Sequence, residues 1–165
     1  MAQDSRSGCL RREAVLNISS VAGRIMGTEF DRTSSIQELL EQDFVEAEDG
    51  SSLIGRVHRL WHTPLGDFGV EDLRTMIGQN LALEYLIPLA VERLHENPLT
   101  GGDYYPGDLL ASVLTVDRAF WLEHPDLWLE MNEIVVELEG ILETIKQHLL
   151  PEAEEIRKSI RNSGA

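Results

Sequence analysis

Six apolar residues recur near the end of the chain in steps of 4, 3, 4, 3 and 4. They are Leu127, Met131, Ile134, Leu138, Ile141 and Ile145. Because steps of three and four place side chains on one face of an α-helix, we predict one long helix over residues 126–150. Such a helix would be about 37 Å long at 1.5 Å per residue. Its apolar face needs a partner surface, which is either the rest of this chain or a second copy.

The remaining patterns are also helical. Ser35 and Glu38 have the spacing of a capping box, which predicts the start of a first helix. Further helices are predicted over 52–62, 70–79 and 81–96, from Pro106 onward, over 117–122, and over 152–160 beyond Pro151. No segment alternates apolar and polar residues as a half-buried strand does. We therefore predict an all-α fold, an irregular bundle of six to eight helices in a single domain.

The segment 81–96 is apolar nearly all round, so we expect it at the centre of the fold, broken or kinked at Pro88. Residues 1–33 are rich in Ser, Arg and Gly without a sustained period, which predicts a poorly ordered, flexible N-terminal extension. Met26 is an alternative start of translation. The helical domain is predicted over 34–165, with residues 130–165 forming the long C-terminal helix and the tail helix.

The chain is strongly acidic, with 29 acidic and 14 basic residues and a net charge of −15. The first 34 residues hold five arginines and four acids, so the negative charge lies in the rest of the chain. Such a surface repels nucleic acid and anionic membranes and attracts basic proteins. Acidity that only maintains solubility is the alternative. The apolar stretch 86–91 is too short to span a membrane, and a lone Cys9 fits a reducing compartment, so we expect a cytoplasmic protein.

No motif indicates catalysis, a metal or a cofactor. His58 and His62 are four residues apart on a predicted helix, a spacing that can bind zinc. The adjacent glutamate of a hydrolytic His-Glu-x-x-His motif is absent, and no third ligand is identifiable. No Gly-x-Ser-x-Gly turn or glycine-rich phosphate loop occurs. We therefore expect a protein that is not an enzyme, and we interpret both histidines as surface or capping residues.

The segment from Asp103 to Asp108, Asp-Tyr-Tyr-Pro-Gly-Asp, has two interpretations. As structure, it is a loop that enters a helix at Pro106 and packs a tyrosine ring on the core. As an interface, tyrosines beside carboxylates are suited to gripping a basic partner, since the rings offer rigid contact area and the acids offer charge. The residues alone favour neither.

Over about residues 34–129 the chain resembles the immunity proteins of bacterial contact-dependent growth inhibition (CDI) systems. The resemblance rests on linked patterns: Ser35-Ile-Gln-Glu-Leu39, His58-Arg-Leu60, Pro64-Leu65, Val70-Glu-Asp-Leu-Arg74, Ile77-Gly-Gln79, Tyr85-Leu-Ile-Pro-Leu-Ala90, Asn97-Pro-Leu99 and Asp103 to Leu110. It implies a helical protein, encoded beside a surface toxin whose C-terminal domain is often a nuclease. The chain departs from the family pattern in two places. Residues 80–84 lack the usual Gln, Gly and Pro, which predicts an unbroken central helix. Gly69 replaces a capping Thr.

The resemblance implies neutralisation of that toxin domain by stoichiometric, electrostatically assisted docking over its basic cleft. Candidate toxin-binding residues are acids and tyrosines in three clusters: Glu41, Asp43, Glu46, Glu48 and Asp49; Asp67, Glu71 and Asp72; and Asp103, Tyr104, Tyr105 and Asp108. The alternative function is an acidic helical adaptor or dimerisation module, in which the seam from Leu127 to Ile145 forms a homodimer. A metal hydrolase using the two histidines is a more distant third.

Overall fold

The computed structural model describes residues 30–44 and 52–163, and the described part is all-α, as predicted. Its helices, in chain order, are α1 (Ile36–Leu40), α2 (Ser52–Trp61), α3 (Val70–Gly78), α4 (Leu83–Glu96), α5 (Asp108–Leu114), α6 (Arg118–Glu123), α7 (Pro125–Thr144) and α8 (Leu150–Ser163). A short 3₁₀ turn, Leu65–Asp67, precedes α3, and a π-helical segment, Ile145–Leu149, joins α7 to α8. Ser35 and Pro64 form an isolated antiparallel bridge.

The start of α1 confirms the predicted capping box. The Ser35 amide donates to Glu38 Oε2 at 2.7 Å, and the Glu38 amide donates to Ser35 Oγ at 3.3 Å. These two bonds satisfy backbone donors that a helix N-terminus would otherwise leave free. The bond from the Ser35 amide also lowers the pKa of Glu38. Ile36, directly after the cap, is fully buried.

Helix α4 is central, as predicted, and packs against α3, α5 and α7. It continues through Pro88, so the predicted break there is wrong, although the proline removes one backbone donor from the helix. The expectation of an unbroken start from residue 81 is wrong. Asn80 (φ 56°) and Ala82 (φ 48°) adopt left-handed conformations that turn the chain between α3 and α4, so α4 begins at Leu83.

The first half of the apolar seam on α7 packs within the chain. Met131 and Ile134 are buried, and Leu127 and Leu138 pack on the same core. Farther along, the seam leaves the bundle, and Ile141 is 37% exposed. The bundle is therefore the partner of the early part of this seam.

Two predicted helix boundaries are wrong. Pro151 does not separate the long helix from the tail, because the π-helical segment Ile145–Leu149 precedes it and the helix continues as α8. A π turn widens the helix where the proline ring would crowd the preceding turn. Helix α5 begins at Asp108 and not at Pro106, because Gly107, with φ 90°, stands between them in a conformation that ends the loop.

The described part of the predicted N-terminal extension contacts the bundle. Phe30 packs edge-on against Tyr85 on α4, with ring centroids 5.5 Å apart. Arg32 pairs with Glu92 on the same helix, and the Arg32 carbonyl accepts a hydrogen bond from the Gly66 amide at 2.8 Å. The first residues that pack on the bundle therefore precede the boundary predicted at residue 33.

Candidate functional site

The predicted toxin-binding residues fall at two places in the described structure. Glu41 and Asp43 follow α1, and both are exposed. Glu46, Glu48 and Asp49 belong to the same predicted cluster but lie outside the described residues. The other two clusters meet, because Glu71 at the start of α3 reaches the loop between α4 and α5 that carries Asp103.

Glu71 joins the two clusters through four neighbours. Arg74 donates to both of its oxygens, from Nε to Oε2 at 2.7 Å and from Nη2 to Oε1 at 2.6 Å. Thr75 Oγ1 donates to Oε1 at 3.2 Å, and the Asp103 amide donates to Oε2 at 3.1 Å. Arg56 Nη1 on α2 lies 3.4 Å from Oε1. A carboxylate held this way connects α2, α3 and the loop.

The bonds to Glu71 fix its charge. Its side chain is only 15% exposed, and burial alone would raise the pKa of its carboxyl group. The Arg74 guanidinium outweighs burial and, helped by the Asp103 amide and the Thr75 hydroxyl, lowers the pKa of Glu71 from 4.5 to about 2. The same pairing raises the pKa of Arg74. Glu71 is thus an ionised structural group with its charge compensated.

Asp72 has a similar internal role. Its Oδ1 accepts from Arg56 Nη2 at 3.0 Å, and its Oδ2 accepts from the Gly69 amide at 3.1 Å. A capping box has two bonds, and Gly69 has no side chain to make the first of them. The bond from the Gly69 amide to Asp72 is the second, and it is present. Asp67, one turn earlier, is exposed. Asp67 is therefore the most exposed of the three acids in this cluster.

Asp108 anchors the loop that precedes α5. Its side chain is 4% exposed, and it accepts from the Gly102 amide at 2.6 Å and from the Tyr104 amide at 3.1 Å. Arg74 Nε lies 3.9 Å from its Oδ2. Buried carboxylates are stable only when hydrogen-bonded or paired, and Asp108 is both. It holds the loop through the backbone amides of Gly102 and Tyr104 and not through loop side chains.

The loop approaches α3 so closely that Gly102 has no room for a side chain. A Cβ atom at this position would lie 2.3 Å from Glu71 Oε2 and 3.3 Å from Glu71 Cα. Glycine therefore permits the Asp103 amide to reach the carboxylate. Gly102 therefore has a packing function in this loop.

The outer face of the loop presents an acid and two aromatic rings. Asp103 is exposed, Tyr104 is 72% exposed and Tyr105 is 57% exposed. The Arg74 guanidinium carbon lies 4.5 Å from the centroid of the Tyr104 ring, which orients that ring by a cation–π contact. The segment is a loop that enters a helix, as the structural interpretation predicts, but the expectation that a tyrosine ring packs on the core is wrong. We call Asp103, Tyr104 and Tyr105 the loop triad.

A second acidic surface follows α1. Gln37 Nε2 donates to Asp43, and Trp61 Nε1 donates to the Gln42 carbonyl at 3.0 Å. Phe44 packs on Trp61 with ring centroids 5.6 Å apart and so anchors the chain after α1. Glu41 caps α1 in a left-handed conformation with φ 52°. These contacts fix the backbone that displays Glu41 and Asp43.

The family model described as CDI immunity proteins matches residues 38–131 of the chain. This chain belongs to the CDI immunity protein family. No curated protein sequence and no solved structure matches it significantly. The match extends from α1 into the early turns of α7 and so contains all three acidic clusters, while α8 lies beyond it.

Proteins of this family are generally non-enzymatic. His58 and His62 lie side by side with ring centroids 4.7 Å apart, and His58 also contacts Phe44. Within 30–44 and 52–163, no group of three or more His, Cys, Asp or Glu residues is arranged to hold a metal ion. Nor does any helix in those ranges have the length and apolar character to cross a membrane.

Sequence reasoning missed an apolar groove at the other end of α5. The groove has a volume of about 440 Å³ and is lined by Leu114, Val116, Arg118, Trp121, Leu122 and Trp128. The Trp121 and Trp128 rings lie 5.7 Å apart, and Leu122 is 69% exposed. The sequence feature that could have indicated the groove is the pair of tryptophans seven residues apart, flanked by acids. For an immunity protein, such a groove is a further surface outside the three acidic clusters.

Proposed function

We propose that this protein neutralises the C-terminal toxin domain of a CDI system by binding it one-to-one through an acidic surface. The family match and the net charge of −15 support this proposal. A nuclease domain is the best-fitting partner, because nucleases carry the positive charge that binds phosphate backbones. Covering that cleft blocks substrate without any chemistry by the immunity protein. The proposed compartment is the cytoplasm, where the toxin would act.

The observation that carries the proposal is the way the loop triad is held. The loop backbone is bonded to Glu71 and Asp108, while the side chains of Asp103, Tyr104 and Tyr105 point outward. A loop already fixed in its binding conformation loses less entropy on association. Tyrosines beside a carboxylate supply rigid contact area and charge for a basic partner.

The proposal divides the twelve candidates into two groups. Glu71, Asp72 and Asp108 position the loop and α3 through internal bonds, so their charges are already compensated. The residues proposed to contact the toxin are the loop triad, Asp67, Glu41 and Asp43, with Glu46, Glu48 and Asp49 of the first cluster. Exposed acids attract a basic toxin over a distance and speed its encounter.

Isothermal titration calorimetry with the C-terminal domain of the toxin encoded beside this gene tests the proposal. Tight one-to-one binding that weakens between about 50 and about 500 mM salt is expected, since salt screens exposed charges. Asp103→Lys should weaken binding at least about tenfold, mostly through slower association. Glu133→Lys makes the same charge change on an exposed position of α7 and is the matched control.

Binding that is equally tight for Asp103→Lys and for the control would contradict docking through the loop triad. Binding at one-to-one stoichiometry that does not respond to salt would contradict the electrostatic part alone. An absence of binding at either salt concentration would contradict toxin neutralisation of this partner. The three outcomes therefore test separately the docking surface, the electrostatic contribution to binding and the neutralisation of the toxin.

The alternative function is an acidic helical adaptor or dimerisation module that uses the seam from Leu127 to Ile145. The observation that favours it is the exposure of the seam beyond the bundle, where Ile141 is 37% exposed. Met131 and Ile134 are already buried in one chain and are not available to a second copy. A homodimer through this seam therefore depends on its later part.

A further inference from the structure

The apolar face of α7 continues past the bundle into α8. Its members are Leu138, Leu142, Ile145, Leu149, Ala153, Ile156 and Ile160. Leu138 is the last of them that packs on the core. Among the described residues, α8 makes its main contacts with the π-helical segment before it, and that segment makes its main contacts with α7 and α8. The later residues of this face therefore have no major packing partner within 30–44 and 52–163.

The exposure of this face is large for aliphatic side chains. Leu142 is 47% exposed, Leu149 is 59% exposed, Ile156 is 61% exposed and Ile160 is 69% exposed. A single helix without tertiary packing is marginally stable in water. A helix of this length with an aliphatic stripe is typical of a surface that another helix covers.

The spacing of the stripe is symmetric about Leu149. From Leu138 to Ile160 the steps are 4, 3, 4, 4, 3 and 4, which read the same in both directions. Leu138, Leu149 and Ile160 are eleven residues apart, and an eleven-residue repeat keeps a stripe on one side of a nearly straight helix. Two copies placed head to tail about Leu149 would bring each stripe residue opposite another stripe residue.

The charges beside the stripe are complementary in the same register. In an antiparallel pair related by a twofold axis, side chains on the same edge of the two stripes meet. On one edge, Arg157 and Arg161 of one copy fall beside Glu139 of the other, and Lys146 falls beside Glu154. Glu143 beside Glu154 is the exception. A parallel in-register pair would instead bring opposite edges together and set Glu154 beside Glu152 and Glu155, which is destabilising.

The ion pairs already present on α8 do not oppose this arrangement. Arg157 lies 3.6 Å from Glu154 and Lys158 lies 2.9 Å from Glu155, each pair within one turn of the helix. All four side chains are about half or more exposed, so each pair contributes little to stability. The two cations remain able to contact acids of a second helix.

We propose that two copies of this protein pair through residues 138–160 as antiparallel helices, with a twofold axis at Leu149. The occupant of the apolar face is a second copy, because the face and its flanking charges complement themselves. The surface extends the predicted seam beyond Ile145 and lies outside the region that the family model matches. It leaves the loop triad free, so the proposal does not depend on toxin binding.

Sedimentation equilibrium of the full chain is the first test. We expect a dimer, and we expect Leu149→Glu to lower the association constant at least about 100-fold, since it removes two buried leucines and sets two acids together. Val136→Glu is the control, because Val136 is 56% exposed and lies on the opposite face of the helix. Circular dichroism should show that both variants keep the folded bundle, because neither residue belongs to the core, whereas Leu149→Glu alone should lose helical signal from α8, which lacks its partner helix in the monomer.

Cysteine crosslinking tests the orientation in a Cys9→Ser background. A mixture of Leu142→Cys and Ile156→Cys chains should form a disulfide between the two sites under mild oxidation. Each variant alone should crosslink much less, because like sites are far apart in an antiparallel pair. A monomer at about 100 μM, a dimer insensitive to Leu149→Glu, or crosslinking mainly between like sites would each overturn the proposal.

Discussion

Glu71 and Asp103 are joined by one hydrogen bond across 32 positions of sequence, from the Asp103 amide to Glu71 Oε2 at 3.1 Å. The bond uses the backbone of Asp103 and leaves its carboxylate in solvent. Glu71 is at the same time paired with Arg74, which orients the Tyr104 ring. A charge held inside the fold thus positions the charge and the ring proposed to meet the toxin.

Replacing Glu71 should destabilise the fold. We expect Glu71→Gln to lower the free energy of unfolding by about 1–3 kcal/mol, because Arg74 loses a charged partner at a mostly buried site. Urea unfolding followed by circular dichroism measures this. Asp67→Asn removes one negative charge from the exposed turn before α3 and should change the free energy by less than about 0.5 kcal/mol. Equal losses in the two variants would contradict the structural role of Glu71.

The same group should make stability depend on acid pH. Folding lowers the pKa of Glu71 from 4.5 to about 2, so its ionised form stabilises the native state above pH 4.5. That contribution, at most about 3 kcal/mol, should be lost as the pH falls from 4.5 towards 2. The measurement is the difference in unfolding free energy between the native chain and Glu71→Gln at a series of pH values. A difference that stays constant over this interval would contradict the shift.

Glu41 should be a site where stability and binding oppose each other. It ends α1 in a left-handed conformation that favours glycine, and its negative charge lies at the unfavourable end of the helix dipole. We expect Glu41→Gly to raise the free energy of unfolding by about 0.5–1 kcal/mol. If Glu41 contacts the toxin, calorimetry should show weaker binding by the same variant. Glu41→Gln separates the two effects, since it removes the charge and keeps the backbone strain.

Tyr104 should matter more for binding than for folding. Its ring is 72% exposed, and its contact with the Arg74 guanidinium contributes under about 1 kcal/mol to stability. We expect Tyr104→Ala to lower toxin affinity at least about tenfold and to leave the melting temperature nearly unchanged. Tyr104→Phe keeps the ring and should retain most of the affinity. A large loss of stability in Tyr104→Ala would show that the ring supports the loop itself.

Local patterns predicted the parts of the fold that local chemistry determines. The capping box at Ser35 joins residues three apart, and the seam that predicts the long helix repeats in steps of three and four. The start of α5 was misplaced, since Gly107 adopts φ 90°, a choice that depends on how the loop packs on α3. Ala82 likewise takes a left-handed conformation that its residue type disfavours.

The sequence identified twelve candidate toxin-binding residues, whose contact with a toxin stays a prediction, but it did not indicate which of them are paired inside the fold. Glu71 and Asp103 were both expected to face a toxin, yet the first is an internal support. Part of the difference is local, because Arg74, the main partner of Glu71, lies three residues along α3. The rest follows from Arg56 and from the loop backbone, which lie 15 and 32 positions away from Glu71 and which no helical period connects to it. Composition could show that the chain is acidic, but only the packing shows which acids are already paired.

The anchors of the loop all end on main-chain amides, those of Gly102, Asp103 and Tyr104. Nothing in that arrangement depends on which side chains the loop carries at positions 103–105. Descendants of this protein could exchange those side chains one at a time while Glu71, Asp108 and Gly102 stayed as they are. The residues that anchor the loop would then stay unchanged, and recognition of a different partner would need substitutions only in the loop triad.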